Sequence, residues 1–428
     1  MNPGNFPLSS RRSFLQSIAA ATAAAMLSPS NVRAAVQTGS SNADFGWVRG
    51  INYYSSWTRS LPDLWTDYDP ARVRFELSLA RALNANCVRV WLGTDPWERS
   101  EKKMLDRVED FLAAAEEQTL QVIPVVFDSC GVEPSDYSGE IVTLPRAYQR
   151  LMQSPRVNQP SRALIQALAE KYVNSAGRDA LCPYSETDPS TLLWQWHTPS
   201  PGYSRLTQSH WKEYEHYLTT ILRRFDAHPA VLAWDLFNEP KCIRILNRTE
   251  TGEAAFDPQR VYRFIAHMRA VASSLSTAKA ITVGAESAST MREVAADADL
   301  LSFHTYESDP MKLKALLEEV KSFASAQRKS VLLTETLSVL FLTGTSDSND
   351  ATQVRLYQSA LPILESMGIG YFAVALMEGR FPFSWVGLFR ADGSRKPVAD
   401  YVESVWRQLP PKTRRGARKD RPESIEAN

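Results

Sequence analysis

This sequence lacks the features that mark several common functions. Basic and acidic side chains are equal in number, 48 of each, so no net field draws the chain to nucleic acid or to an anionic membrane. No Gly-x-Gly-x-x-Gly follows a strand-like run, and there is neither a P-loop nor a serine-nucleophile motif; dinucleotide, nucleotide and serine-hydrolase chemistry lose their usual carriers. Histidine is scarce, with six residues, and only His304 falls at a strand end, so a metal-dependent barrel hydrolase has no cluster of ligands to use. The four cysteines, Cys87, Cys130, Cys182 and Cys242, have no Cys-x-x-Cys spacing and no nearby histidine. No metal or other cofactor is expected from them. Cys87 reads as a packed core thiol, whereas Cys130 and Cys182 share one long connection, where a bridge or two free thiols are both open readings.

Long apolar runs are also missing. The longest N-terminal one, Ile18 to Leu27, is too short to anchor the chain in a bilayer. It follows Ser10-Arg11-Arg12-Ser13-Phe14-Leu15 and precedes Val32-Arg33-Ala34, the pattern of a twin-arginine export signal over residues 1–35. The expectation is a mature protein that works in the periplasm or is secreted. At the other end, residues 410–428 are basic without apolar periodicity and read as a disordered tail. Residues 45–409 remain as one large domain, expected to be monomeric.

Within that domain, eight apolar runs of strand length alternate with helix-length amphipathic stretches. The runs are Gly46 to Asn52, Cys87 to Leu92, Gln121 to Phe127, Val231 to Phe237, Ala280 to Ala285, Leu300 to His304, Ser330 to Glu335 and Gly370 to Leu376. Helices are predicted over Ala71 to Leu83, Lys102 to Gln118, Arg205 to Phe225, Pro258 to Leu275, Lys312 to Gln327 and Ala351 to Met367. Eight strand–helix repeats predict an α/β fold, a (β/α)8 TIM barrel, with a doubly wound open sheet as the alternative. A long loop insertion follows strand 3, from Asp128 to about Tyr203, with a helix expected over Ser161 to Asn174. Its aromatic end, Leu193 to Gly202, is either the wall of a cleft or a lid packed by its own tryptophans.

Two of the runs end on a carboxylate. Val231-Leu-Ala-Trp-Asp-Leu-Phe-Asn-Glu-Pro240 is stopped by a proline that cannot continue the ladder, leaving Asn238 and Glu239 at the strand's C-terminal rim. Ser330-Val-Leu-Leu-Thr-Glu-Thr336 ends on Glu335. As strands four and seven of one barrel, both deliver their acids to the same rim, where barrel chemistry takes place. Two facing carboxyls are what glycoside hydrolysis requires, one to protonate the leaving oxygen and one to attack or to activate water.

At these residues the sequence resembles the clan A glycoside hydrolases, within them the cellulase-like enzymes around family 5, as a divergent branch. Arg49-Gly-Ile-Asn52, Asn86-Cys-Val-Arg-Val-Trp91, Ala233-Trp-Asp-Leu-Phe-Asn-Glu-Pro240, Ser302-Phe-His-Thr-Tyr306 and Leu333-Thr-Glu-Thr336 match in order the first, second, fourth, sixth and seventh strands of that family. The resemblance implies that Glu239 is the general acid/base and Glu335 the nucleophile of a retaining mechanism. It also implies that Arg89 and Tyr306 are donors to the nucleophile, that Asn238 binds the sugar 2-hydroxyl, and that His304 points into the rim. Asp235 reads as a structural partner of Arg89 inside the barrel. The family commonly has a histidine after strand 3 and a tryptophan after strand 8, whereas this chain has Asp128-Ser-Cys130 and Leu376-Met-Glu-Gly379. Asp128 is the candidate replacement for the first and Trp385 for the second. Tyr54, Trp57 and Trp385 are the candidate sugar platforms.

The expected partner is a carbohydrate, without nucleic acid and without a stable membrane anchor. The reaction expected is hydrolysis of O-glycosidic bonds, β-linked, in poly- or oligosaccharides. A transglycosylase with the same two acids and a catalytically silent carbohydrate-binding barrel are the alternatives.

Overall fold

The computed structural model describes residues 44–58, 60–130, 140–155, 157, 162, 181–184, 200–242, 256–339, 350–379 and 386–408. The barrel strands are β1 (Arg49–Asn52), β2 (Cys87–Trp91), β3 (Gln121–Asp128), β6 (Ala233–Asn238), β7 (Ala280–Ala285), β8 (Leu301–His304), β9 (Val331–Thr336) and β10 (Gly370–Ala373). All pair in parallel and close in the order β1-β10-β9-β8-β7-β6-β3-β2. The fold is a (β/α)8 barrel, as the alternation of runs predicts. Between β3 and β6 the chain also forms a small antiparallel pair, β4 (Ile141–Thr143) with β5 (Leu181–Pro183), and helix α5 (Leu144–Gln153). The helix expected over 161–174, the aromatic segment 193–199 and the tails 1–43 and 409–428 lie outside the described residues.

The longer helices of the outer layer are α2 (Pro70–Ala82), α4 (Glu101–Glu117), α6 (Trp211–Phe225), α7 (Pro258–Ser274), α9 (Pro310–Ala326), α10 (Asp350–Met367) and α11 (Pro397–Gln408); shorter ones are α1 (Asp63–Thr66), α3 (Thr94–Arg99) and α8 (Ala288–Glu293). Three of them start with the same dipeptide. Asp69-Pro70, Asp257-Pro258 and Asp309-Pro310 each place an Asp at the N-cap, its carboxylate accepting from the first-turn N–H groups. The proline that follows has no N–H to leave unsatisfied and its φ already suits the first turn. Each such cap is worth about 1 kcal/mol. Helix α11 is absent from the expected set: it lies beyond the eighth strand, where the repeat count had stopped.

Alternation along each strand divides the buried residues. One set packs outward under the helices, for example Val88, Val126, Leu236 and Val283, in the largest apolar cluster. The other fills the barrel. Cys87, Ile123, Leu332 and Phe372 form an apolar plug, with Cys87 the core thiol expected. Gly50 is required there, since a Cβ on it would lie 2.2 Å from the Phe372 ring. Above the plug the interior turns polar, with Arg89, Asp235 and Thr282 fully buried. The closed end is tied by Arg49, whose Nε donates to Glu365 at 2.9 Å, while Tyr371 donates to the same carboxylate at 2.7 Å.

Candidate active site

The C-terminal rim is organised around one guanidinium. Arg89 has no exposed surface and donates in four directions: Nε to Asp235 Oδ2 at 2.9 Å, Nη1 to Asn52 Oδ1 at 3.2 Å and to Glu335 Oε1 at 2.7 Å, and Nη2 to Asn238 Oδ1 at 2.6 Å. A buried cation of this kind persists only with compensating charge and acceptors, which these four residues supply. Asp235 is the structural partner expected of it. Burial raises the Asp235 carboxyl above its ordinary range, and Arg89 and the Gly284 N–H offset only part of that rise.

Glu335 and Glu239 face each other across this centre, with carboxylate oxygens that lie within 4.8 Å of one another and of a His304 nitrogen. Their surroundings differ. Glu335, on β9, accepts from Arg89 and from the Tyr306 hydroxyl. Burial and the Glu335 charge raise the Tyr306 phenol well above its ordinary value, so it remains a donor. Glu239 has different partners among the described residues. Its Oε1 pairs with His304 Nδ1 at 2.7 Å and its Oε2 accepts from the Cys130 thiol at 3.3 Å. It also keeps more exposure, 13% of its side chain against 7% for Glu335.

Position of Glu239 depends on an unusual backbone. Its φ is +46°, a region that costs a non-glycine residue about 1 kcal/mol or more and survives only when neighbours hold it. They do so here: the Glu239 N–H donates to the Gly284 carbonyl at 2.6 Å, and its carbonyl accepts from the Cys242 N–H at 2.9 Å. Gly284 itself has no room for a side chain, since a Cβ would sit 2.6 Å from Asp235 Oδ2 and 2.8 Å from Arg89 Nη2.

His304 is fully buried. Burial alone would lower its pKa, but the charges of Glu335 and Glu239 outweigh that and raise it. Its Nε2 makes no hydrogen bond among the described residues. Asn238 donates from Nδ2 to Asp128 Oδ2 at 3.2 Å, and Asp128 Oδ1 accepts from the Cys130 N–H at 2.7 Å. Tyr54 is buried against Trp91, with ring centroids 5.4 Å apart, and is raised by its own burial and by the Glu335 charge. Trp91 carries Arg89 over its ring at 4.4 Å, and its buried Nε1 makes no hydrogen bond among the described residues.

The structure thus brings Arg89, Asn238, Glu239, His304, Tyr306 and Glu335 together, with Asp128 and Tyr54 at the edge. Trp57 donates from Nε1 to the Asp67 carbonyl at 2.9 Å, and its ring lies near Arg72. Trp385 lies outside the described residues. Cys130 carries a free thiol, so the Cys130–Cys182 bridge is not formed. Cys130, Cys242 and Gly284 contact the site and had not been singled out for it. A signal existed in strand order, because β3 and β6 are neighbours with Asp128 opposite Asn238, which sets the residues after each side by side.

No protein-family model matches this sequence, and no curated protein does. Solved structures do match it in shape. An exo-β-1,4-mannosidase from Opitutaceae bacterium strain TAV5 aligns over 84% of this chain and 59% of its own length, at 17% identity and a TM-score of 0.51. A GH2 β-galacturonidase from Eisenbergiella tayi aligns over 85% of this chain and 51% of its own, at 12% identity and 0.49. An endo-1,4-β-D-mannanase from Thermotoga petrophila RKU-1 aligns over 85% of this chain and 99% of its own, at 14% identity and 0.48. The chain spans 59% and 51% of the first two proteins. At such identities the likeness is one of fold.

Proposed function

We propose that this protein is a retaining glycoside hydrolase acting on β-linked poly- or oligosaccharides, with Glu335 as nucleophile and Glu239 as general acid/base. The observation that carries the reading is the pair of carboxylates within 4.8 Å of each other in opposite hydrogen-bonding surroundings. Retaining enzymes hold their carboxyls about 5 Å apart, whereas inverting ones leave about 6.5–9.5 Å for a water.

In the first step a Glu335 oxygen attacks the anomeric carbon. Protonated Glu239 gives its proton to the leaving glycosidic oxygen, and a glycosyl ester forms on Glu335. In the second step the Glu239 carboxylate takes a proton from water, whose oxygen displaces Glu335 from the anomeric carbon. Each transition state carries positive charge on the sugar ring, and the carboxyls of Glu239, Glu335 and Asp128 gathered near Arg89 favour that charge. Asn238, oriented by Arg89 and Asp128, is the group proposed for the sugar 2-hydroxyl.

The same electrostatics favour neutral sugars. Arg89 is already bonded to Asp235 and Glu335, so among the described residues a uronate carboxyl at this centre would meet acids and a guanidinium that is already paired. β-Mannans are the first substrates to try, given that two of the structural neighbours are a mannosidase and a mannanase by name. The twin-arginine pattern at Arg11-Arg12 supports action outside the cytoplasm.

The test is reducing-sugar release from β-mannans, β-glucans, xylans and bacterial exopolysaccharides by the protein and its Glu239→Gln and Glu335→Gln variants. The reading expects activity on at least one polymer, lowered on the order of 10³-fold or more in Glu335→Gln. Equal activity in the wild type and Glu335→Gln would remove Glu335 as nucleophile. A folded protein that binds a glycan and cleaves none would favour a binding barrel.

A further inference from the structure

Two thiols lie against Glu239, and neither has a part in the two-carboxylate reaction. Cys130 follows β3 by two residues, and Cys242 closes the tight turn Glu239-Pro240-Lys241-Cys242. The two sulfurs and a Glu239 oxygen all lie within 4.8 Å of one another, with Cys130 Sγ 3.3 Å from Glu239 Oε2. Their backbones are pinned: the Cys130 N–H donates to Asp128 Oδ1 at 2.7 Å and the Cys242 N–H to the Glu239 carbonyl at 2.9 Å. Lys241, the nearest cation in the turn, is turned away to Glu293 at 2.7 Å.

We propose that Cys130, Cys242 and Glu239 form a three-ligand site for a thiophilic divalent cation, zinc in the first instance, whose binding withholds Glu239 from proton transfer. Zinc holds thiolates at about 2.3 Å and carboxylate oxygens at about 2.0–2.2 Å, so the corners of its tetrahedron lie roughly 3.5–3.8 Å apart. From the 4.8 Å limit a pair would need to close by about 1.3 Å at most to reach that spacing, and Cys130 Sγ with Glu239 Oε2, at 3.3 Å, to open slightly. Cys130 is buried and Cys242 half-buried, which leaves one side for entry and for a fourth, water ligand. Thiolates select zinc or cadmium over magnesium and calcium, which prefer oxygen.

The exchange balances without an oxidant. Two S–H bonds break and their protons go to solvent, two S–Zn bonds form, and Glu239 as its carboxylate contributes one O–Zn bond; a molecule in which Glu239 is protonated releases that proton to solvent as a third. Burial raises Cys130 well above its ordinary value, and Asp128 and Glu239 add to that; Cys242, despite its hydrogen bond with Cys130, is pushed up to about 12. Binding therefore releases about two protons and tightens as pH rises.

Only the effect on activity rests on the proposed role of Glu239; the binding itself does not. The test uses the full chain, reduced and untagged, titrated with ZnCl2 by calorimetry in two buffers of different ionisation enthalpy. Co(II) absorption serves as a second readout. Expected are one zinc per chain, release of about two protons, a near-ultraviolet thiolate-to-cobalt band, and binding weakened 100-fold or more in Cys130→Ser/Cys242→Ser but kept in Cys87→Ser. MgCl2 and CaCl2 should give no heat. Absence of binding to the reduced wild type, equal binding by the double variant, or a Cys130–Cys242 disulfide that leaves no thiol for zinc would overturn the site. Zinc that binds while polysaccharide cleavage continues would overturn its effect on Glu239. Because calorimetry needs no substrate, a failed hydrolase assay would leave the zinc result intact.

Discussion

Replacing Arg89 by methionine keeps a long apolar stem but removes the charge that, ahead of His304, most offsets Asp235 inside the barrel. Both side chains have no exposed surface and lie 2.8 Å apart, and breaking such a pair from one side costs about 3–5 kcal/mol. That cost should depend on pH in a definite sense. Asp235 has a folded-state pKa already above its unfolded value, so its contribution is fully present below about pH 3.9 and is lost as pH rises through the folded pKa. Without Arg89 the folded pKa moves higher, and the loss continues to higher pH than in the wild type. Each pH unit in that window changes the difference by about 1.4 kcal/mol per carboxyl. Urea unfolding followed by tryptophan fluorescence at pH 5 and pH 7 should show a deficit of about 3–5 kcal/mol at pH 7 and a smaller one at pH 5. An equal deficit at both values would mean that the loss is one of packing, and would refute the charge account. A deficit under about 1 kcal/mol at pH 7 would refute the pairing itself.

Three other outcomes follow from the same geometry. Tyr306→Phe removes one donor from Glu335 and should lower kcat about 100-fold while the melting temperature stays near wild type; an unchanged kcat would count against the donor role. The raised pKa of His304 means that its attraction to Glu239 and Glu335 stabilises the fold fully below about pH 6.5 and is lost as pH rises through the raised value. Melting curves of wild type and His304→Gln from pH 5 to 9 should therefore converge at the alkaline end, and a constant gap would contradict this. Gly284→Ala should destabilise by about 2–3 kcal/mol and impair activity, because the added Cβ meets Asp235 and Arg89; a variant that melts and turns over like wild type would show that the centre can give way.

The parts of this molecule legible in its sequence are those with local causes. Buried parallel strands are continuous apolar runs, so Cys87–Trp91 and Ala280–Ala285 stand out, and Pro240 marks where β6 must stop. Expected strand ends differ from observed ones by a few residues, as at β10, which ends at Ala373 rather than Leu376. Arg89 with Asp235 was legible because a buried strand cannot carry either charge alone. Contacts made by loops were not. His304 is the last residue of β8, and Tyr306 reaches Glu335 from beyond the strand, where the Thr305 N–H donates to the Glu335 carbonyl at 3.1 Å. Cys130 and Cys242 are far apart in sequence and meet through barrel order. Trp57 follows β1 as its sequence position indicates, and the Asp67 carbonyl that accepts from its indole N–H comes from a segment ten residues on.

The stereochemistry of the first-formed product tests the central claim most directly. Proton NMR of a short β-linked oligosaccharide during its first minutes of cleavage distinguishes the two anomers before they equilibrate. Two displacements through Glu335 predict that the new reducing end appears first as the β-anomer and drifts to the α/β mixture. Initial appearance of the α-anomer would mean a single displacement by water, and would contradict Glu335 as a nucleophile.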